Sequence, residues 1–151
     1  MRTARALTEV PLQPSAALTL WTDLSRWPTF IEGFAHLVEK DGDWPAADSR
    51  VLWESVPAGR GRVTEKVVES TLDRIATMVF EDRLAGKQTL RVAHAEPGAA
   101  VELSLEYTLT KYGPLSPLAD LLFIRRAIRD SLVRTLRRFA IEAEEEAGLR
   151  A

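Results

Sequence analysis

"PLADLLFIRRAIRDSLVRTLRRFAIEAEEEA", residues 117–147, is the stretch whose reading decides the fold. Its spacing predicts one helix from Pro117 to Ala147 that stops at Gly148, roughly 45 Å long if unbroken. Ser116 suits the cap, Pro117 the first helical position, and Asp120 the positive end of the dipole. At about 100° per residue, Leu118, Leu121, Ile128, Leu132, Leu136 and Phe139 fall on one stripe. Arg134, Arg138 and Glu142 sit largely away from it. This helix has one face to bury and a wet back.

The surface that could receive the stripe lies upstream. Between Ala35 and Lys111 the pattern has a period near two: "SRVLWESV", "GRVTEKVVES", "DRIATMVFED", "KQTLRVAHA" and "AAVELSLEYTLT". They are separated by "DGDWPAAD", "PAGRG", "TLD", "LAGK" and "EPGA", connections short enough to favour sequential antiparallel strands. The last run alternates most cleanly, with Val101, Leu103, Leu105, Tyr107 and Leu109 on one face and Glu102, Ser104, Glu106 and Thr108 on the other. A long helix laid across such a twisted sheet gives an α+β, two-layer architecture.

The chain begins with another extended run, "RALTEVPLQ", halted by Pro11 and Pro14. A short helix follows, carrying Ala17, Leu20, Trp21 and Leu24, and Ser25 is the expected cap of a shorter turn through "RWPTF". The segment "WPTFIEGF" is more apolar than a surface turn requires. Trp21, Trp27, Phe30 and Phe34 are therefore expected to plug one open end between sheet and helix.

Composition narrows the function classes. With 151 residues, 46% of them hydrophobic and 28% charged, residues 1–151 are expected to form one soluble domain. No apolar run reaches membrane-spanning length and the start "MRTARALTEVPLQP" lacks the apolar core of a secretory signal, so a cytoplasmic protein is expected. Zero cysteines exclude disulfides and thiolate chemistry, and two distant histidines disfavour a histidine-built metal site. No metal or cofactor is expected. A net charge of −2 gives no global attraction to nucleic acid.

The order of elements, with "EVPLQPSAALTLWTDLSRWPTFIEGF" at the start, "VPAGRGRVTEKVVES" in the middle and the terminal amphipathic helix, resembles the polyketide cyclase/dehydrase and lipid-transport (SRPBCC) superfamily over essentially the whole chain. The resemblance implies the START-like helix-grip fold, with a curved antiparallel sheet of six to seven strands around a long C-terminal helix and two short helices after the first strand. It also implies an elongated apolar cavity between sheet and helix, holding a lipid, isoprenoid or polyketide. Trp53, Met78, Phe80, Leu103, Leu105 and Tyr107 would line it from the sheet and Leu122 from the helix, with Trp27, Phe30 and Phe34 at the lid. One fold hosts many activities, so the substrate is not implied.

Arg125 stands in the middle of the helix stripe, with Arg129 about 40° away. A buried guanidinium needs a carboxylate, carbonyls or a ligand head, so Arg125 is either a ligand-orienting group or half of a structural pair with Glu54, Glu65 or Glu106. The structural pair is the favoured reading. His94 shares parity with Leu90 and Val92 and has the right pKa range for acid–base work, but a strand-end histidine beside "EPG" is more simply solvated. Tyr107, on the buried parity, could donate to a ligand oxygen or satisfy its hydroxyl locally. Trp53 is either cavity wall or core. "AGRGR" lacks the ending of a phosphate loop and reads as a hairpin.

Two features point outward. "PLADLLFI" is apolar nearly all around, leaving Phe123 and Ile124 for the lid, a membrane surface or a second copy to cover. Arg125, Arg126, Arg129, Arg134, Arg137 and Arg138 form a basic belt, read as a solvated face balanced by "EAEEE" rather than a nucleic-acid site. The leading expectation is a binding protein for a hydrophobic small molecule. An aromatase/cyclase, with Arg125, His94 and Tyr107 as the candidate catalytic groups, is the enzyme alternative. A protein-interaction module is the third reading.

Overall fold

Prolines and turn residues set where the chain bends, and the computed structural model shows how the pieces pair. It describes residues 1–110 and 118–151, and only the backbone of Leu118 and Ala119. The expected cap Ser116, the first helical position Pro117 and the stripe side chain of Leu118 thus lie outside the described residues.

Strand β1 (Arg2–Val10) runs to Pro11, where the missing donor stops it, and helix α1 (Pro14–Thr22) starts with Pro14 in its first turn. Asp23, not Ser25, caps the 3-10 turn that follows: its carboxylate accepts from the Ser25 amide at 3.1 Å and the Ser25 hydroxyl at 2.6 Å. Helix α2 (Trp27–Phe30) is a single turn with no side-chain cap.

The sheet then runs β2 (Phe34–Asp41), β3 (Arg50–Ser55), β4 (Arg62–Ser70), β5 (Arg74–Phe80), β6 (Leu84–Ala95) and β7 (Gly98–Leu109). The order across it is β1-β7-β6-β5-β4-β3-β2, every pair antiparallel. Hairpins make every step except the return of β7 to β1. The "LAGK" stretch, expected as a turn, belongs to β6. Gly86 lies opposite Tyr107, where a Cβ would collide with the Glu106 carbonyl oxygen and sit 3.0 Å from Tyr107 Cα.

Helix α3 (Leu118–Arg150) continues past Gly148 and packs chiefly on β1 and α2. The stripe is buried only in its second half: Leu132, Leu136, Phe139 and Ala143 are core, while Leu121 and Ile128 are half-covered. Phe139 meets Phe30 at 5.2 Å and Trp21 at 5.4 Å between ring centroids, and Trp21 stacks on Phe30 at 5.3 Å. Trp27 donates its indole N–H to the Trp21 carbonyl at 2.8 Å and packs edge-on against Trp44 and Phe34. The aromatic lid is thus anchored on α3. Polar latches hold it there. Arg26 donates to Glu142 at 2.9 and 2.6 Å and to Glu146 at 3.1 Å; Arg134 donates to Glu32 at 2.5 Å; and the Glu32 amide donates to the Thr135 hydroxyl at 3.1 Å.

Candidate functional site

Because the first half of α3 is not pressed into the core, a gap remains beneath it. A cavity of about 300 Å³ lies between α3 and the sheet. Leu105 and Leu109 of β7, with Leu84 and Gln88 of β6, form its floor; Ile124, Ala127, Ile128 and Ser131 of α3 form its roof. Phe123 reaches it from the helix flank, and Leu132 closes the end nearest the packed core. Charged side chains gather at another edge: Arg60 from the β3–β4 hairpin, and Glu81 and Arg83 from the β5–β6 turn.

Arg60 is held from two sides. Its guanidinium carbon lies 5.0 Å from the centroid of the Trp53 ring, and its Nε donates to the Glu81 carboxylate. Trp53 in turn donates its indole N–H to Glu65 at 2.8 Å, and the Thr77 hydroxyl donates to the other oxygen of Glu65 at 3.1 Å. Glu65 is buried among strands β3, β4 and β5. Burial pushes its carboxyl pKa up, against the pull of the two hydrogen bonds and of nearby Arg60, and Glu81 pushes it further. Folded protein therefore binds this proton more tightly than the unfolded chain. That contribution to stability is present at low pH and is lost as pH rises from the ordinary glutamate range through the raised value. In thermal unfolding, the melting temperature of Glu65→Gln minus that of the wild type is expected to grow as pH rises above the ordinary glutamate range. A pH-independent difference would show that Glu65 titrates normally.

Tyr107 keeps its expected parity and is 1% exposed, yet its hydroxyl has no hydrogen-bond partner among the described residues. Burial raises its pKa, and the positive charges of Arg2 and Arg125 act in the opposite direction. Leu105 and Leu109, its same-face neighbours on β7, line the cavity. Leu103 is core at 1% exposure.

Other predicted site residues sit elsewhere. Arg125 and Arg129 are exposed, because the stripe that carries them is uncovered in this half of α3; no buried pair with Glu54, Glu65 or Glu106 is required. Leu122, 53% exposed, points away from the cavity that Ile124 and Ile128 roof. Phe80 is 50% exposed and Met78 half-buried, since the inward parity of β5 belongs to Ile75, Thr77 and Val79. His94 is exposed at the end of β6, 3.0 Å from Glu96. Trp27, Phe30 and Trp53 are filled core, with Phe34 half-buried beside Trp53 at 5.3 Å; none of the four lines the cavity. Arg60 and Glu81 were missed. The signal for Arg60 was its place in a tight hairpin beside Trp53's strand, which aims a long cation back over the sheet.

Among the described residues, no group of three or more histidine, cysteine, aspartate or glutamate side chains could hold a metal, and no helix is long and apolar enough to cross a membrane.

The comparisons with known proteins agree with this architecture. The family described as "Polyketide cyclase / dehydrase and lipid transport" matches residues 1–144. No curated protein matches the sequence. Among solved structures, the protein TTHA0849 from Thermus thermophilus is similar at 18% identity and a TM-score of 0.75, over 94% of this chain and 97% of that one. The di-domain ARO/CYC StfQ from the steffimycin biosynthetic pathway is similar at 18% identity and a TM-score of 0.76, over 97% of this chain and 51% of that one. A norcoclaurine synthase from Thalictrum flavum, a point mutant in complex with a transition-state analogue, is similar at 17% identity and a TM-score of 0.59, over 85% and 92% of the two chains. At these identities the likeness is one of fold.

Proposed function

The chain belongs to the polyketide cyclase/dehydrase and lipid-transport family, and from that premise we propose that it binds a hydrophobic small molecule, such as a lipid, isoprenoid or polyketide, between its sheet and α3. The observation that carries the reading is the cavity itself. At about 300 Å³ it lies at the lower end of the range for small-molecule sites, with mostly apolar walls and a few charged groups collected at one edge. An apolar molecule seated there would be drawn in by the area it removes from water. Exposed Leu122 and Phe123 beside the mouth would be the contact surface with a membrane or a second copy during exchange.

Native mass spectrometry of the purified protein, followed by solvent extraction, tests the proposal together with titration of the neutral apolar dye Nile red. A stoichiometric hydrophobic passenger, or saturable one-site dye binding, is the expected result. Neither passenger nor dye binding would overturn it.

A second reading, an aromatase/cyclase, draws support from the Tyr107 hydroxyl, which has no hydrogen-bond partner among the described residues, and from the fold likeness to the ARO/CYC protein. A folded chain of ketones needs a proton donor; Tyr107 does not itself line the cavity but lies on the same face of β7 between Leu105 and Leu109, which do.

A further inference from the structure

The inward faces of β4, β5 and β6 carry Glu65, Thr77 and Gln88 side by side. The first two satisfy each other, the Thr77 hydroxyl donating to Glu65 at 3.1 Å. Gln88, opposite Thr77 on one side and Leu105 on the other, makes no side-chain hydrogen bond with any other described residue. It shares the parity of Leu84 and Leu90, both buried, so the strand pattern calls for an apolar side chain where this carboxamide lines the cavity. The other polar groups around that cavity are engaged or lie at its edge. Arg60 and Glu81 are bonded to each other, and Arg60 is held over Trp53. Ser131, in the roof, shares the Glu32 carboxylate with Arg134. Arg83 is exposed at the edge. We propose that Gln88 is the specificity-determining residue of the cavity, and that it selects an apolar ligand with a neutral oxygen, a ketone or a hydroxyl, in its buried body. This rests on the apolar-cavity reading above and adds the class of ligand.

The selection follows from what each ligand does to the carboxamide. A plain hydrocarbon strips water from it and returns no hydrogen bond, which offsets much of the gain from the apolar area it buries. A ketone accepts from the amide N–H, and a hydroxyl can also donate to the amide oxygen, so both restore the lost bond where the surroundings are of low dielectric. A carboxylate in the same place would be desolvated beside a neutral amide, with the nearby guanidinium of Arg60 already paired. Gln88 stands four residues along β6 from Leu84 at the turn, about 13 Å at about 3.3 Å per residue. The oxygen it reads is therefore deep in the ligand and not in a head at the charged edge.

Tetralin and 1-tetralone share one ring skeleton and differ by a neutral ketone, and displacement of Nile red compares them. Burial of apolar area alone favours tetralin, the more hydrophobic of the two. In the wild type 1-tetralone is instead expected to displace the dye at least about tenfold more effectively than tetralin, the equivalent of one hydrogen bond that would otherwise be left unmade. In Gln88→Leu the order is expected to reverse. Each ratio is taken within one protein, so a change in the dye's own affinity cancels, and Gln88→Met gives the same comparison should the leucine variant not fold. Tetralin displacing the dye from the wild type as well as 1-tetralone does, or better, would overturn the oxygen-bearing ligand. A ketone advantage that survives the apolar substitution would overturn the role of Gln88. Both of those failures leave apolar binding intact, whereas failure of Nile red to bind at all removes the apolar-cavity reading and this inference with it.

Discussion

Replacing Phe139 with alanine is expected to destabilise the protein by about 3–5 kcal/mol, a fall in melting temperature of roughly 6–20 °C for a chain of this size. Phe139 is 0% exposed, and its ring packs edge-on against both Trp21 and Phe30. Removing the ring takes away its transfer free energy and its edge-to-face contacts, and leaves a void that the stacked Trp21–Phe30 pair can only partly close. The latches from Arg26 and Arg134 cannot compensate. Their charged groups are partly exposed, where such pairs are worth little. Equilibrium denaturation read by tryptophan fluorescence checks the value. A loss below about 1 kcal/mol would mean that the lid is not anchored through this ring.

The long helix and the sheet were legible because periodicity reports burial, and both elements bury one face. Val101, Leu103, Leu105 and Tyr107 alternate cleanly, and all four face inward. Strand β2 escaped the strand pattern for the opposite reason: it is an edge strand, exposed along nearly its whole length, so no face of it needs to be apolar. In β5 both faces carry apolar residues, with Ala76 buried opposite to the inward parity of Ile75, Thr77 and Val79. Periodicity cannot choose between two such faces, and Met78 and Phe80 were assigned to the wrong one.

The site was less legible than the fold, because a cavity is a place where the pattern should have been filled and is not. The stripe of α3 reads the same on either side of Ile128, yet only the later residues are core. Arg125 drew attention as a charge within that stripe. The charges that reach the cavity instead come from a hairpin and a turn that neighbour each other only after β3 to β6 have paired. Glu65 was named as a partner for a helix arginine. In the structure it is held by Trp53 and Thr77 on neighbouring strands, a cross-strand arrangement fixed by register rather than by sequence proximity.

Gln88→Trp should abolish most apolar ligand binding while leaving the fold in place, with a loss on the order of a hundredfold in affinity. Gln88 lies in the cavity floor on β6, opposite Leu105 and between the inward-facing Gly86 and Leu90. A side chain on a paired strand cannot swing out to solvent as one on the helix flank can, so an indole at this position must occupy the space beneath Ile124 and Ile128. If it displaces about four methylene groups of ligand, the loss is about 3 kcal/mol, which is about two decades in affinity. Aromatic residues suit strands, and Gln88 is only half-buried, so the pairing with β5 and β7 is expected to survive. Nile red titration and thermal unfolding, run together on wild type and variant, separate the two effects. Unchanged dye affinity in a folded variant would place the ligand somewhere other than between α3 and the sheet.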